Sequence, residues 1–370
     1  MNIFEKIPKI AISKTSYYNL RKIIQGFFMA EFVSTFITGF QNIVAKDLPD
    51  RLSGVKILSI FDGLVHYQYD GNSRDLEKII YFNNTFFVLK TWGGTTGGRT
   101  GNSSGRALNF PSMGGSVASE KKYFLINKGT FRVRFVQENQ FAKVDKNIVR
   151  RAEEDVLRKS KLQLDRLSPT TEIWYSIRRE GFAFCGQLLS KREFTEKNLN
   201  KGELRPEIAY LICAFSDIGE NDLIVEPFCG YASIPVQLVK KFRFGKLFAS
   251  DIDAEKIKED GEKKQLKDTP LVDLRVADAF DLSHIADKSV DLVITDPPWG
   301  FYEDIGDVKV FYKKTFASFL RILKDGGKMV ILSARKDELK AVVGELGLKI
   351  EDSLDTLVNG KKAGLYKIVV

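Results

Sequence analysis

The chain has 370 residues, 44% of them hydrophobic and 12% aromatic, with a formal net charge of +9. That length exceeds one typical core, so two or three domains are expected; the composition excludes a chain that is disordered throughout, and no apolar run is long enough to span a bilayer, so no membrane partner is expected. Three cysteines (Cys185, Cys213, Cys229) without CxxC spacing and two histidines (His66, His284) argue against a disulfide framework and a structural zinc site, and no metal is expected.

Residues 1–30 read as an N-terminal extension, a Lys-rich start followed by the amphipathic stretch YYNLRKIIQGFF. Charges and a proline run through it without a small-residue cleavage site, which makes a poor secretory signal and a cytoplasmic protein the expectation. Residues 31–92 alternate strand and helix: EFVSTFI, QNIVAKDL, a hairpin VKILSIFDGLVHYQYD turning at Asp62 and Gly63, SRDLEKII and FFVLKTW. The order β-α-β-β-α-β predicts a ferredoxin-like domain. Residues 93–116 are rich in glycine and serine, too long and unpatterned for a phosphate-cradling loop, and read as a flexible stretch.

Residues 117–192 supply the strand FRVRFV, the helix NIVRRAEEDVLRKSKL and the strands EIWYSIRR and FAFCGQLLS, with Trp174, Tyr175 and Phe182 expected in the core. Residues 1–200 hold 31 Lys/Arg against 19 Asp/Glu, a balance of +12, while residues 201–370 hold 26 against 29, a balance of −3. The excess gathers around FRVRFV and the helix after it, a face able to track a phosphate backbone, although a solubilising surface would explain the charge equally well.

From residue 193 to 370 the rhythm becomes strand-helix alternation. DLIVEP, KLFASD, VDLRVAD, VDLVITDPP and KMVILSA are short apolar strands with helical patterns between them, and LKIEDSLDTLV and KKAGLYKIVV flank Asn359-Gly360, a hairpin signal. The pattern predicts an α/β domain with a doubly wound parallel sheet of five strands closed by an antiparallel hairpin.

Ligands in such sheets bind beyond the carboxyl ends of the strands, so the residues that follow each strand carry the functional expectation. After the first, Gly230 lets backbone approach a ligand. After the second, Asp251 lies about twenty residues past that glycine, where a carboxylate accepts ribose hydroxyls. After the third, Asp278 is placed to accept from an adenine amine. Alone, each is more simply a turn or a helix cap; four such ends on one rim are hard to obtain from packing alone.

The fourth end reads TDPPWGF. Methyl transfer to an exocyclic amine requires the nitrogen lone pair, delocalised into the ring, to be turned toward the donor. Asp296 and the Pro297 carbonyl supply acceptors for the amine hydrogens, the paired prolines stiffen the turn, and Trp299 offers a face on which a base can stack.

These residues resemble the (N/D/S)PP(Y/F/W) motif of S-adenosylmethionine-dependent amino-methyltransferases. More narrowly, the chain resembles the THUMP-containing tRNA guanine-N2 methyltransferases over most of its length. EFVSTFITGFQNIVAKDL is similar to their N-terminal ferredoxin-like segment, TFRVRF through GFAFCGQLLSKREF to the end of THUMP, and GELRPEIAYLICAF to the lead-in helix of the catalytic domain. The resemblance implies a Rossmann-like methyltransferase domain over 193–370, a THUMP-like RNA-binding region over 117–192, S-adenosylmethionine as cofactor and tRNA as partner, with a monomer expected. It also implies cofactor contacts from Leu204, Pro206, Glu226, Phe228, Gly230, Asp251, Ile252, Asp278, Ala279 and Asp296, and methyl transfer at Asp296, Pro297 and Trp299. The usual DPFCGSGT is here EPFCGYAS, with Glu226 for aspartate, Tyr231 for serine and Ala232 for the second glycine. An adenine-N6 methyltransferase on RNA or DNA and an inactive RNA-binding protein stay open beside this reading, since one four-residue motif serves both ring amines.

Overall fold

The computed structural model describes residues 30–93, 109–113, 124–192, 199–263, 266, 268–301 and 303–370. The stretch YYNLRKIIQGFF and most of the Gly/Ser-rich run lie outside them.

The first sheet begins with β1 (Ala30–Thr35), α1 (Gln41–Arg51), β2 (Lys56–Phe61), β3 (Leu64–Tyr69), a 3₁₀ segment (Ser73–Lys78) and β4 (Asn84–Trp92). Its strands pair antiparallel in the order β2-β3-β1-β4, the ferredoxin-like arrangement. SRDLEKII, expected to be a helix, forms only the 3₁₀ segment, capped by Asn72 and offering the core Leu76 alone. With one buried side chain to hold it, a longer helix has nothing to pack on.

The sheet does not stop at β4. After a helical turn, α2 (Phe110–Met113), come β5 (Thr130–Gln137), β6 (Gln140–Phe141), α3 (Lys146–Lys159), β7 (Gln163–Leu164), β8 (Thr171–Ile177) and β9 (Ala183–Lys191). β4 pairs antiparallel with β9, and the order continues β9-β8-β5-β6, so the segments read separately as 31–92 and 117–192 share one sheet of nine strands. The run Phe86, Phe87, Val88, Leu89 is buried on both faces, as a central strand requires. Tyr175 and Phe182 are core, as expected. Trp174 is half-buried, packed 5.1 Å from Phe86, with its indole N–H donating to Glu172 at 2.6 Å. Glu172 also takes Arg132 Nε at 2.7 Å and lies 3.6 Å from Arg134. The charge of the basic strand FRVRFV is therefore partly offset by Glu172 on its neighbour, a pairing that no linear charge count locates.

The second sheet follows α4 (Pro206–Phe215), with Pro206 at the first turn where its missing N–H costs nothing. Its elements are β10 (Leu223–Glu226), α5 (Ser233–Lys241), β11 (Lys246–Asp251), α6 (Ala254–Lys263), β12 (Val272–Val276), β13 (Val290–Thr295), α7 (Val308–Ile322), β14 (Leu323–Ser333), α8 (Lys336–Glu345), β15 (Lys349–Val358) and β16 (Lys361–Val369). The order is β12-β11-β10-β13-β14-β16-β15, with five parallel strands followed by the antiparallel hairpin β15-β16. Asn359 and Gly360 both have positive φ, 49° and 77°, as a type I′ turn demands. Among the described residues no helix is long and apolar enough to cross a membrane.

The two sheets meet through α4 and β15. Tyr210 donates to Asp47 at 2.6 Å, Arg51 lies over the rings of Tyr210 and Phe242, and Thr356 Oγ1 donates to the Thr38 carbonyl at 2.8 Å. Gly39, at φ +92°, approaches so closely that a Cβ there would stand 1.9 Å from the Asp355 carbonyl oxygen. Gly39→Ala is accordingly expected to destabilise the protein by about 2–4 kcal/mol, the combined cost of a left-handed alanine and an overpacked contact. Urea unfolding checks this, and a midpoint matching the wild type would mean that the two sheets are not held against each other here.

Candidate active site

The strands of the second sheet end on one rim. The chain leaves β10 toward β12 and then crosses back to place β13 on the other side, so a crevice opens between β10 and β13. There the structure holds a cavity of about 310 Å³.

One wall is the loop after β10. Glu226 is 1% exposed; its Oε1 accepts from Thr295 Oγ1 at 3.0 Å, while its Oε2 is buried with no hydrogen-bond partner. Burial holds this carboxyl well above the usual carboxylate range, with the Thr295 bond opposing and the charges of Asp296 and Asp251 reinforcing the shift. Beyond it the loop folds tightly: Cys229 N donates to the Ser250 carbonyl at 2.9 Å and Ala232 N to the Cys229 carbonyl at 2.7 Å. Gly230 takes φ +49° and Ala232 φ +56°, so the alanine sits in the left-handed region that the resembling motif fills with glycine.

Asp251 closes β11 and is fixed by two backbone donors, Gly230 N to Oδ2 at 2.8 Å and Asp253 N to Oδ1 at 2.9 Å. Each oxygen keeps a second lone pair for a ligand. Asp278, beyond β12, is exposed and accepts from Phe280 N at 2.9 Å. Ala279 beside it is buried, its carbonyl accepting from Ser318 at 2.6 Å. Ile252 is 72% exposed and Phe280 40%, both on the cavity wall, where two large apolar side chains open to solvent call for a flat apolar ligand. Phe228 completes this side through Phe311, which stands 5.7 Å from it and 5.5 Å from Phe280.

The opposite wall is the end of β13. Asp296 is half-buried as a residue, open on the cavity side, yet its Oδ1 is fully enclosed and has no hydrogen-bond partner. Enclosure pushes this carboxyl up to about 8, with the neighbouring Trp299 indole pulling the other way. Trp299 Nε1 is likewise buried without a bond in acceptable geometry, so donor and acceptor stand near each other without pairing. Pro297 is buried and Pro298 half-buried. Arg335 Nε donates to the Trp299 carbonyl at 2.8 Å and so fastens the turn.

Of the residues expected from sequence, the structure gathers Leu204, Glu226, Phe228, Gly230, Asp251, Ile252, Asp278, Ala279, Asp296, Pro297 and Trp299 around the cavity. Pro206 stands apart, at the first turn of α4 and off the cavity wall. Sequence reasoning missed Lys256, Glu303, Phe280, Arg335 and Lys361. Lys256 lies 3.6 Å from Asp253 and 3.7 Å from Glu303, with its ammonium 5.6 Å from the Tyr231 ring centroid. Its spacing from Asp251 on the following helix is the one signal that could have found it.

The donor set suits a nucleoside bearing a cationic tail. Asp251 and Asp278 on neighbouring strand ends, the exposed apolar side chains of Ile252 and Phe280, and the buried Glu226 line this one cavity.

Residues 192–361 match the model of the RMKL-like methyltransferase domain, UPF0020. A tRNA (guanine(10)-N2)-dimethyltransferase of Methanothermobacter thermautotrophicus is 26% identical over 197 residues, 50% of this chain. The chain spans about half the length of that curated relative, 56% of it. The crystal structure of TrmN from Thermus thermophilus superposes with a TM-score of 0.70 over 92% of this chain and 99% of that one, at 17% identity. SMU.472, crystallised with SAH, gives 0.65 over 92% and 98%, at 14% identity. Both likenesses establish the fold, a Rossmann-like domain behind an α+β N-terminal module.

The raised Asp296 pKa has a stability consequence. Between the unfolded value near 3.9 and the folded value of about 8, the native protein binds a proton that the unfolded chain has released. This group's contribution to stability is therefore undiminished below about pH 4 and falls as pH rises toward 8. Asp296→Asn is expected to flatten that fall in chemical unfolding measured across the range. Parallel stability curves for variant and wild type would place Asp296 in an ordinary aqueous environment.

Proposed function

We propose that the chain is an S-adenosylmethionine-dependent methyltransferase acting on the exocyclic N2 amine of a guanosine in tRNA. The observation that carries this reading is the end of β13, where a half-buried aspartate with an enclosed, unpartnered Oδ1 stands beside a tryptophan on a proline-stiffened turn, across the crevice from Asp251 and Asp278. The methyltransferase-domain match and the guanine-N2 relative support it.

Asp251 would hold the ribose hydroxyls, Asp278 with Ile252 and Phe280 the adenine, and Glu226 the methionine end, with Leu204 packing from the lead-in to α4. S-adenosylmethionine, when bound, supplies an electrophilic methyl on a sulfonium. The rest falls to this chain's own residues. Trp299 stacks the base, and the cavity-facing side of the Asp296 carboxyl and the Pro297 carbonyl accept the amine hydrogens and turn the nitrogen lone pair out of conjugation. As positive charge develops on that nitrogen, a carboxylate whose pKa is raised toward 8 is a stronger proton acceptor than an ordinary aspartate. The N-terminal module would carry tRNA. Lys143, Lys146 and Arg150 are exposed around the start of α3, and Phe141 beside them is 64% exposed.

Mass spectrometry of nucleosides from bulk tRNA, incubated with and without the enzyme, is expected to show N2-methylguanosine; N6-methyladenosine instead would move the same site to an adenine substrate. Asp251→Ala is expected to weaken cofactor binding about tenfold or more in calorimetry, the loss of a charge-assisted contact. Asp296→Ala is expected to lower the methylation rate about 10²–10³-fold with cofactor affinity nearly intact. For the wild type, kcat/KM is expected to rise with pH up to about 8, where Asp296 loses its proton, and to lose that rise in Asp296→Asn. Near-normal activity in Asp296→Ala would refute the proposed role of this carboxyl.

A further inference from the structure

Phe301, two residues beyond Trp299, is 45% exposed at the cavity wall. Two cations converge on its ring: the Lys361 ammonium lies 3.9 Å from the centroid and the Arg335 guanidinium carbon 4.8 Å. Neighbouring positive charges repel each other, and the negative face of the ring offsets that repulsion and fixes where they sit.

Neither cation is loosely placed. The Arg335 backbone N–H donates to Ser333 Oγ at 2.8 Å, that oxygen meets the Tyr312 hydroxyl at 2.6 Å, and Arg335 Nε holds the Trp299 carbonyl. Nε uses one of the five guanidinium donors, leaving a fork suited to an oxyanion. Lys361 opens β16 immediately after the rigid Asn359-Gly360 turn, and Asn359 and Lys361 both line the cavity.

The surrounding charge gives this placement a purpose. Asp251, Asp278 and Glu303 line the same cavity and would repel a polyanion, yet any nucleotide whose base reaches Trp299 brings a phosphate to the mouth.

We infer that Phe301, Arg335 and Lys361 form a clamp for a phosphodiester of the substrate strand beside the target nucleotide, an inference that rests on the RNA reading above. The clamp ties backbone position to the turn that presents the base, because Arg335 touches both. The other anion that could reach Lys361 is the cofactor carboxylate, and the experiment separates the two.

The salt dependence of binding to tRNA and to a short guanosine-containing single-stranded RNA is measured for the full chain, Lys361→Gln and Phe301→Leu, with S-adenosylmethionine affinity followed by calorimetry. Each lost phosphate contact is expected to make the log K against log[salt] slope shallower by about 0.7–0.9. Phe301→Leu keeps every charge but releases the cations, and is expected to lose slope as Lys361→Gln does, with cofactor affinity unchanged in both. An unchanged slope in either variant overturns the clamp; a fall in cofactor affinity without a slope change assigns Lys361 to the cofactor and overturns it as well. The wild-type nucleoside analysis is independent of this: slope loss without methylated guanosine would uphold the clamp and sink the guanosine reading, while methylation with unchanged slopes would do the reverse.

Discussion

Thr295 and Glu226 stand at the ends of two neighbouring parallel strands, joined by a buried hydrogen bond of 3.0 Å. β10 and β13 pair in register at Ile224 with Leu292 and Val225 with Val293, and the side-chain bond continues the ladder past its last backbone contact. Everything at the cavity hangs from this join. On one side it fixes the Pro227–Ala232 loop that orients Asp251 through Gly230; on the other it fixes the Asp296–Gly300 turn. Glutamate, a methylene longer than the aspartate usual in the resembling motif, reaches the neighbouring strand. Burial holds it well above the ordinary carboxylate range, because an enclosed charge carries a desolvation cost that the Thr295 bond only partly offsets.

The same frame explains how the N-terminal sheet bears on the site. α4 presents Tyr210 to Asp47 and packs its buried face into a core that runs from α1 into β10. Leu204, just ahead of α4, lines the cavity. β15 meets Gly39 and Thr38 on one edge, and its hairpin tip reaches the cavity with Asn359. The N-terminal sheet is thus fastened to two elements that end at the cavity. On the reading proposed above, a tRNA bound to that sheet would be held in a fixed relation to the Asp296–Gly300 turn.

What the sequence disclosed follows from period and position. The short apolar strands of the second sheet, the paired positive-φ residues Asn359 and Gly360, and the aspartates just past strand ends are local signals, and the structure places them where those signals imply. What it concealed is long-range. Nothing in FFVLKTW announces that β4 continues into β9, because pairing partners are not encoded in a strand's own pattern. Arg132 and Arg134 read as a basic face until Glu172 on the adjacent strand takes both. Arg335 and Lys361 had no motif to mark them, since their significance lies in one ring between them and in a carbonyl that sequence spacing cannot locate. Ala232 shows the converse: read as a departure from a glycine, it adopts the glycine's backbone region.

The acidic balance of the C-terminal half, −3 over residues 201–370, looks ill suited to a nucleic acid. Burial changes that balance where it matters. Burial disfavours the charged form of Glu226 and pushes Asp296 up to about 8, so the two cavity carboxyls nearest the join carry less negative charge than their formal count. Asp251 and Asp278 stand at the ends of the strands on the other side of β10. The repulsion a nucleotide would meet on entering is therefore smaller than the formal count, and two cations are gathered at Phe301 on the cavity wall. Enclosure thus lowers the negative charge of the base wall while Asp296 holds its proton, and the carboxylate that forms as pH rises toward 8 is the species that would take a proton from the amine.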